Sequence, residues 1–499
     1  MDIAHYTLSD TERQSFEKLQ EELIPQFQLQ FPDPMAPKTV IIVPSLSLDS
    51  EILSKISGHI HYEERLLCLL LLLRMPRTQV IYLSSMPIDE VIVDYYLHLI
   101  QGITHMHARK RLSLLACYDA SNIPLTEKIL ERPRLMERIR SLVPPGHVAH
   151  IAAFNVTPLE EQLALKLGFP LYGCPSSLSY WGSKSGSREL FRNAGIPMPP
   201  GYENLKSTED VLQALMNLKA EQPHLTKAVL KLNEGFSGDG NAIYTFGKLP
   251  KITEDLLRNN LKMVASDMVF DQFMEKFNQM GGIVEAFLPG VQASPSVQCL
   301  INPLQEIDVV STHDQILGGE SGQVYLGARF PADDAYRREI GELGYKLSKH
   351  MSTLGVLGRF GVDFVSVKDG EEWKHYAIEI NLRKGGTSHP YLMLQLLTGG
   401  RYDYKEGKYI MPNGQTRSYI ATDALVYDNF KKLTPPDLID VAICNNLHFD
   451  GTTEEGVGFH LIGAMSQHGK LGVVSIGTTA ERAEALYNRT ISVLLGESR

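Results

Sequence analysis

The chain has 499 residues and a formal net charge of −10, from 58 acidic and 48 basic side chains. That balance is the opposite of what a nucleic-acid-binding surface needs, and the length is enough for about three packed units. The apolar run at residues 66–73 is too short to span a bilayer, and no export signal is evident. The five cysteines are widely scattered and form no Cys-x-x-Cys pair, a pattern that indicates neither a disulfide framework nor a zinc site. We therefore expect a cytoplasmic protein with reduced thiols and with neither a nucleic acid nor a membrane as partner.

Residues 1–37 are predicted to form an N-terminal helix and a linker. Ser9 and Glu12 form a capping-box pattern ahead of a helix from about residue 10 to residue 28. The proline-rich stretch PDPMAPK follows it and is typical of a linker.

Residues 38–180 alternate between strand-like and helix-like segments. The predicted strands are TVIIVP, QVIYLSS, RLSLLAC and HVAHIAAF, and the predicted helices include EERLLCLLLLLR, DEVIVDYYLHLI, LTEKILERPRLMERIRSLV and LEEQLALKL. Alternation of this kind predicts an α/β domain with a doubly wound, largely parallel sheet.

Residues 181–288 are predicted to be a small α+β lobe. A helix in GSRELFRNAG ends at Gly195, before several prolines. In AVLKLNEGFSGDGN, Lys231 lies near the end of an apolar strand, and a glycine-rich loop follows it. Backbone N–H groups of such a loop can approach phosphate, and the lysine can reach the same oxygens, although a simple hairpin turn explains the glycines equally well.

Residues 289–499 are predicted to be a larger lobe that ends in a hairpin, FHLIGAMS and LGVVSIG, and a helix from about residue 480 to residue 495. Within it, Glu379 and Asn381 are two residues apart on a strand and therefore point to the same sheet face. If the strand through Asp363 in GRFGVDF is the neighbour, three oxygen ligands converge near Arg383, an arrangement that holds Mg²⁺ against nucleotide phosphates. The alternative is a polar strand end that runs into a glycine turn.

The order of these parts resembles the ATP-grasp superfamily. The resemblance implies that Lys184 and Lys231 contact the nucleotide phosphates and that Asp363, Glu379 and Asn381 bind Mg²⁺. Further nucleotide contacts are implied for the loop Gly235, Ser237, Gly238 and Gly240, which would close as a lid, and for the adenine hinge Glu285, Ala286, Phe287 and Leu288. The position where a ribose-binding carboxylate is often found is Gln292, a neutral amide that still hydrogen-bonds a hydroxyl.

The strings INLRKGGTSHP and GSKSGSR, with STHDQILGG and other segments from residue 38 onward, resemble the pheganomycin-type peptide ligases. This resemblance implies a pre-ATP-grasp domain followed by a two-lobed ATP-grasp domain. The implied reaction uses ATP and Mg²⁺ to join an amino-acid-like carboxylate to an amine or peptide acceptor through an acyl phosphate. A small-molecule kinase and a non-catalytic nucleotide-binding scaffold are the alternatives, and the oligomeric state is left open, with a homodimer as one expectation.

Four further groups are candidates for the chemistry. Arg383 would bind the transferred phosphoryl group and the later oxyanion, or it forms a salt bridge on the surface of the turn. Gly385, Gly386, Thr387 and Ser388 are further donors to the same oxyanion, or they form only a tight turn. His389 is an acceptor contact or general base, or a structural histidine at a helix start. Arg329 is a carboxylate clamp or part of a structural ion pair, and His313 and Asp314 are expected near the substrate end.

Overall fold

The computed structural model describes residues 7–235, 240–247, 252–265, 268–318 and 324–498. The strands predicted for the first part of the chain are present as Lys38–Val43 (β1), Thr78–Ser84 (β2), Leu112–Ala116 (β3) and Val148–Ala153 (β4). They pair in parallel in the order β3–β2–β1–β4, so the predicted α/β sheet is confirmed.

Helices surround this sheet, and two of the predicted ones have different bounds. The helices are Asp10–Gln20 (α1), Leu23–Pro25 (α2), Ser50–Lys55 (α3), Glu90–His98 (α4), His105–Arg109 (α5), Leu125–Leu130 (α6), Pro133–Ser141 (α7) and Pro158–Leu167 (α8). The capping box of Ser9 and Glu12 is confirmed, but α1 ends at residue 20 and a π-helix at Gln26–Gln30 follows α2. The helix predicted over residues 125–143 is split into α6 and α7 at Pro133, because proline lacks the N–H that would continue α6.

The first domain packs on both faces of its sheet. On one face Phe16 of α1 joins the core with α6, α7 and α8, so the N-terminal helix is part of this domain's packing. On the other face lies a 3₁₀-helix at His59–Arg74, whose apolar residues are almost all buried. That second core continues without a break into the C-terminal part of the chain, where it includes Phe330 and Tyr391.

A second, antiparallel sheet follows. Its strands are Gly201–Leu205 (β5), Lys227–Leu232 (β6), Asn241–Thr245 (β7), Leu261–Met263 (β8) and Gly282–Ala286 (β9). The nearby helices are Lys184–Ala194 (α9), Thr208–Glu221 (α10), Glu254–Asn260 (α11) and Phe270–Met280 (α12). The strand order is β5–β9–β6–β7–β8, and α10, α11 and α12 pack on it around a separate core.

A third sheet begins at residue 291. Its strands are Val291–Ala293 (β10), Pro295–Ile301 (β11), Ile307–Gly318 (β12), Val324–Phe330 (β13), Gly358–Asp369 (β14) and Glu372–Asn381 (β15), and, after the small hairpin Arg401–Asp403 (β16) and Lys408–Ile410 (β17), Ser418–Val426 (β18), Gly456–His460 (β19) and Lys470–Gly477 (β20). The order is β10–β14–β11–β12–β13–β18–β20–β19, with β15 also paired to β14. The α-helices are Arg337–Ser352 (α13), Ser388–Thr398 (α14), Pro435–Cys444 (α15), Ile462–His468 (α16) and Ala480–Glu497 (α17).

The C-terminal prediction is correct in part. β19 and β20 pair antiparallel as expected, but α16 connects them in place of a short turn. The last helix, α17, is confirmed. The domain limits 1–37, 38–180, 181–288 and 289–499 stay predictions, although the backbone does change from one sheet to the next between Ala286 and Val291.

The structure also bears on the predictions about cysteines and membrane spans. All five cysteines are unpaired, four of them buried and Cys444 exposed, as expected for reduced residues. Among the described helices, none has the length and apolar character of a membrane span.

Candidate active site

A cleft of about 870 Å³ lies where the three sheets approach one another. Its lining includes Lys184, Lys231 and the end of β9, then Asp363, Glu379 and Asn381, and finally side chains from the first domain and from β18. Residues more than 300 positions apart in the sequence therefore face one space.

The predicted acidic group is assembled at the centre of this cleft. β14 and β15 are antiparallel neighbours, and Asp363 lies directly opposite Glu379. The Asn381 amide donates to Asp363 Oδ2 at 3.0 Å and to Glu379 Oε1 at 3.3 Å. Gln315 of β12 donates to the other oxygen of Asp363 at 2.7 Å. The predicted adjacency of these strands is confirmed, and burial raises the pKa of Asp363 to about 6.

The donor set of this group fits Mg²⁺. Two carboxylates and one amide supply the hard oxygen ligands that this ion takes, with room for phosphate oxygens and water. Asn381 now turns its NH₂ toward both carboxylates, and a half-turn of the amide presents its oxygen to the same point. Among the described residues no group of three or more His, Cys, Asp or Glu side chains offers an alternative metal site.

Lys184 reaches the same group from the other side of the cleft. It is the first residue of α9, and its backbone N–H donates to Asn233 O at 3.1 Å, just past the end of β6. Its ammonium forms an ion pair with the carboxylate of Glu379. Burial, followed by the charge of the nearby Lys231, lowers the pKa of Lys184 to about 7. The two predicted lysines are thus brought together.

Lys231 belongs to a buried ion network on β6 and β9. Its ammonium lies 2.5 Å from Glu285 Oε1, and Arg188 of α9 donates to Glu285 Oε2 at 3.1 Å. Arg188 also donates to the carbonyl of Pro199 at 2.9 Å. All three charged side chains are buried, and Arg188 Nε also donates to Glu203 Oε2 at 3.2 Å. The network therefore holds Lys231 in the cleft wall.

All four residues of the predicted hinge line the cleft. The Glu285 side chain is 3% exposed and is paired with Lys231 and Arg188. Ala286, Phe287 and Leu288 do line the cleft, with the Phe287 N–H already bonded to Lys227 O at 3.2 Å. The role of these residues as an adenine hinge stays a prediction.

The glycine-rich loop is described at its two ends. Gly235 and Gly240 both line the cleft, within van der Waals reach of each other. Ser237 and Gly238 lie outside the described residues, and the lid stays a prediction. Gln292 is exposed on β10, and its neighbours Gly290 and Val291 line the cleft in its place.

Arg383 lines the cleft next to the acidic group and makes no hydrogen bond or ion pair to any described residue. Burial lowers the pKa of its guanidinium, while the carboxylate of Asp363 opposes that shift. Gly385, Gly386 and Thr387 line the cleft beside it. The Gly385 N–H is spent inside the turn, on Ser388 Oγ at 2.9 Å.

Gly386 is required by its neighbour. A Cβ at this position would lie 2.7 Å from Cε1 of Tyr325, so only glycine lets the turn approach the β13 tyrosine. The tight-turn and donor interpretations of the glycines are therefore compatible.

Two predicted catalytic residues lie elsewhere. Arg329 donates to Glu484 of α17 at 3.1 Å, with both side chains about half exposed, and does not line the cleft. It forms the structural ion pair that was its alternative. His389 is buried at the start of α14, with Nε2 3.2 Å from Nε2 of His460, which matches the structural alternative.

The expectation for His313 and Asp314 is also corrected. His313 bonds to the Tyr419 hydroxyl at 2.7 Å in the core, and burial lowers its pKa to about 3. Asp314 accepts from Tyr336 Oη at 2.7 Å and from the Asp333 N–H at 2.7 Å. Neither lines the cleft; the next residue of the strand, Gln315, does.

Sequence reasoning missed the side chains at the end of the cleft away from β9. They are Tyr62 and Arg65 of the 3₁₀-helix, Tyr325 of β13, Asp423 of β18 and Lys470 of β20. One signal was present in the sequence: Glu63, Glu64 and Arg65 come directly before an apolar run. The structure shows that all three of these charged residues are buried. A pairing across 358 positions, such as Arg65 with Asp423, leaves no local pattern.

Comparisons with known proteins agree with this geometry. A family described as IQCH-like, ATP-grasp matches residues 175–260 and 249–405, and the PGM1 C-terminal domain matches residues 437–490. L-propargylglycine–L-glutamate ligase of Streptantibioticus cattleyicolor is 31% identical over 468 residues, which cover 92% of this chain and 94% of that protein. The chain belongs to the ATP-grasp superfamily, among the pheganomycin-type ligases. It is an ATP-dependent ligase that forms carbon–nitrogen bonds, which favours the main prediction over the kinase and the scaffold.

Other matches are more distant. IQ motif-containing protein H of Danio rerio is 23% identical over 92% of this chain, which spans 48% of the length of that protein. The fold resembles the ADP complex of purK, N5-carboxyaminoimidazole ribonucleotide synthetase, with a TM-score of 0.53, 14% identity, and coverage of 93% of this chain and 99% of that one. The Staphylococcus aureus N5-carboxyaminoimidazole synthetase with ADP gives a TM-score of 0.51 at 12% identity, over 91% of this chain and 97% of that one. These structures support the fold assignment.

Proposed function

We propose that the enzyme joins the carboxylate of one amino acid to the amine of a second amino acid or a peptide, through an acyl phosphate made from ATP. The observation that carries the proposal is the group of Asp363, Glu379 and Asn381 on paired strands, with Lys184 on the Glu379 carboxylate, in a cleft that also holds Lys231. The similar ligase named for propargylglycine and glutamate supports the substrate class.

The nucleotide would lie against β6 and β9. Lys184 and Lys231 face the triphosphate, while Ala286, Phe287 and Leu288 border the adenine. The buried pair of Glu285 with Lys231 and Arg188 keeps the second lysine in place when no phosphate is present. Asp363, Glu379 and Asn381 would hold Mg²⁺, which when bound offsets the negative charge of the phosphates.

The chemistry requires charge neutralisation and alignment. The substrate carboxylate attacks the γ-phosphorus, the bond to the ADP oxygen breaks, and an acyl phosphate forms. The amine then attacks the acyl carbon, and collapse of the tetrahedral intermediate expels phosphate; the nitrogen loses one proton in the process. The protein's contribution is to hold the reacting atoms together in a cleft shielded from water.

Arg383 is the residue proposed to stabilise both negative charges that develop. It lies beside Asp363, has no partner among the described residues, and carries a planar fork that suits a phosphoryl group and an oxyanion. The Gly386 N–H, in the turn against Tyr325, is the second proposed donor.

The proposal extends to partners and location. We propose a cytoplasmic enzyme with small-molecule substrates, and a homodimer as the assembly to test by light scattering after gel filtration. A molecular mass of one chain, 55.8 kDa, would contradict the dimer.

The function is tested by an ATP-consumption screen over pairs of amino acids, with mass analysis of the products. We expect ADP, free phosphate and a product with the summed mass of both substrates less one water. A single substrate that carries the phosphate at the end of the reaction would indicate a kinase. ATP binding together with no turnover for every pair tested would indicate a scaffold.

A further inference from the structure

The end of the cleft away from β9 carries a charged pair that the steps above do not use. Arg65 and Asp423 form an ion pair in which the two side chains are 9% and 10% exposed, and both residues line the cleft. The Arg65 guanidinium lies 3.9 Å above the Tyr62 ring, and Lys470 Nζ lies 2.6 Å from the Tyr62 hydroxyl. Arg65 and Lys470 thus carry two positive charges against the one negative charge of Asp423.

The backbone of β18 is shaped to present this pair. The register between β18 and β20 shifts between Thr422 and Leu425, so the two residues in between depart from the regular alternation. Asp423 and Ala424 lie in this irregular stretch, and both line the cleft. The Thr422 hydroxyl accepts the Ala424 N–H at 3.0 Å and holds the irregular stretch. Such bulges re-aim side chains beside active sites.

The guanidinium of Arg65 has hydrogen-bonding capacity left. Its Nε is buried without a partner, and its Nη1 makes no hydrogen bond to any described residue. The residue is only 8% exposed, and buried donors in native proteins are normally satisfied. A ligand acceptor in the cleft would satisfy Nη1, whereas Nε has almost no accessible surface and stays out of the ligand's reach.

The pair lies within electrostatic reach of the reacting groups. The charge of Arg65 acts on Arg383, and both Asp423 and Asp363 act on Tyr325, which itself packs against Gly386. A small molecule can therefore touch the Arg65 end and present another of its atoms beside Arg383.

We propose that Arg65 binds the free carboxylate of an amino-acid acceptor, an inference that rests on the ligase function proposed above. In such a ligation the activated carboxylate of the donor is consumed, so a donor with a single carboxylate keeps only the charge of its ammonium group. The acceptor keeps its own carboxylate while its amine attacks. A cleft end with net positive charge and a planar guanidinium matches the acceptor. Asp423 and Tyr62 are positioning residues that orient Arg65, and Lys470 supplies the second positive charge.

The test compares acceptors that differ only at that carboxylate. Each amino acid found as acceptor in the screen is offered to the wild type, Arg65→Gln and Arg258→Gln as the free acid and as its α-amide. Arg258→Gln is the matched control, because this arginine is also paired with an aspartate, Asp271 at 2.7 Å, but on the surface of the small lobe. The wild type and the control should prefer the acid. In Arg65→Gln we expect the KM for the acid to rise at least about 30-fold and the preference for acid over amide to disappear.

The KM values for ATP and for the donor should stay unchanged in Arg65→Gln. The inference is overturned if this variant keeps the acid preference or loses ATP affinity instead. It is overturned without any variant if the wild type uses the amides as well as the acids, or if its acceptors carry no carboxylate. Absence of ATP turnover for every pair would instead defeat the proposed function itself, and the inference with it.

Discussion

The two ends of the cleft differ in how their charges are held. At the β9 end, every lysine rests on a carboxylate, Lys184 on Glu379 and Lys231 on Glu285, before any ligand is present. At the far end, Arg65 has a carboxylate but keeps unsatisfied N–H groups. Behind Arg65 and Asp423 the core contains the neutral histidines His389 and His460.

This difference reflects how each end is built. The β9 end is formed by neighbouring strands and by α9, and its residues are close together in short segments of the sequence. Its buried charges stabilise one another as ion pairs. The far end joins the first domain to β18 and β20, and its electrostatics depend on groups kept uncharged by burial. We expect removal of an ion partner at the β9 end to abolish most of the turnover. We expect acid to lower the stability of the core behind the far end.

The largest effect is expected at the acidic group. Glu379→Gln should lower turnover about 10³-fold, because it removes both a proposed ligand and the partner of Lys184. Steady-state assays measure the loss, and calorimetry with ATP measures binding separately. Glu372→Gln, at the exposed start of the same strand, is the control and should behave as wild type. Full turnover in Glu379→Gln would remove this carboxylate from the mechanism.

Arg383 lies between the two ends, and its replacement shows whether they share one reaction centre. Arg383→Gln should reduce kcat by about 10²-fold, because one donor to the developing charge is lost. The KM for ATP should change much less than kcat. Arg401→Gln, exposed on β16, controls for loss of an arginine charge. An unchanged kcat would contradict the assignment.

Acid should destabilise the core that the 3₁₀-helix shares with the C-terminal sheet, where His313 packs against Phe330 and Tyr419. The folded pKa of His313 is about 3, below the ordinary 6.5, so the unfolded chain binds a proton first as the pH falls. This contribution to stability is complete above pH 6.5, and about 2 kcal/mol of it is lost at pH 5. Urea unfolding at pH 7 and pH 5 measures the loss.

Between pH 7 and pH 5, the free energy of unfolding of His313→Gln should fall by about 2 kcal/mol less than that of the wild type. The exposed His224 of the small lobe provides the control, His224→Gln, with the wild-type difference between the two pH values. An equal pH response in all three proteins would show that the buried histidine carries no linkage.

The smallest effect is expected at Arg329. Its ion pair with Glu484 is half exposed, so Arg329→Gln should change the free energy of unfolding by less than about 0.5 kcal/mol and leave turnover unchanged. Thermal melts and the ligase assay suffice. A large loss of activity would restore the carboxylate-clamp role and weaken the distinction between the ends.

The sequence predicted what local patterns encode. Period-two alternation placed Glu379 and Asn381 on one face, and the neighbouring strand with Asp363 followed from the resemblance and is confirmed. The first sheet was predictable because its strands and helices alternate in order. The residues of the β9 end were predicted from the resemblance, because the glycines and Lys231 alone fitted a hairpin turn equally well.

The remaining features depend on tertiary packing. Glu285 is buried and bonded to Arg188, which is 97 positions away in the sequence, and no local pattern indicates that pairing. The split of α6 from α7 follows from Pro133, a signal that was present in the sequence but was not used. Arg65 could not be recognised, because its partner belongs to a strand irregularity that no sequence spacing announces.

The continuous core around the 3₁₀-helix has a mechanical consequence. The first domain and the C-terminal sheet share buried apolar side chains, so neither can swing without exposing them to water, whereas the small lobe has a core of its own. Opening and closing for nucleotide exchange would then be a pivot of the small lobe against a fixed block. Arg65 and Asp423, at the proposed acceptor end, belong to the part that stays fixed. Their arrangement would therefore persist through the catalytic cycle, while the ATP end opens and closes with the small lobe.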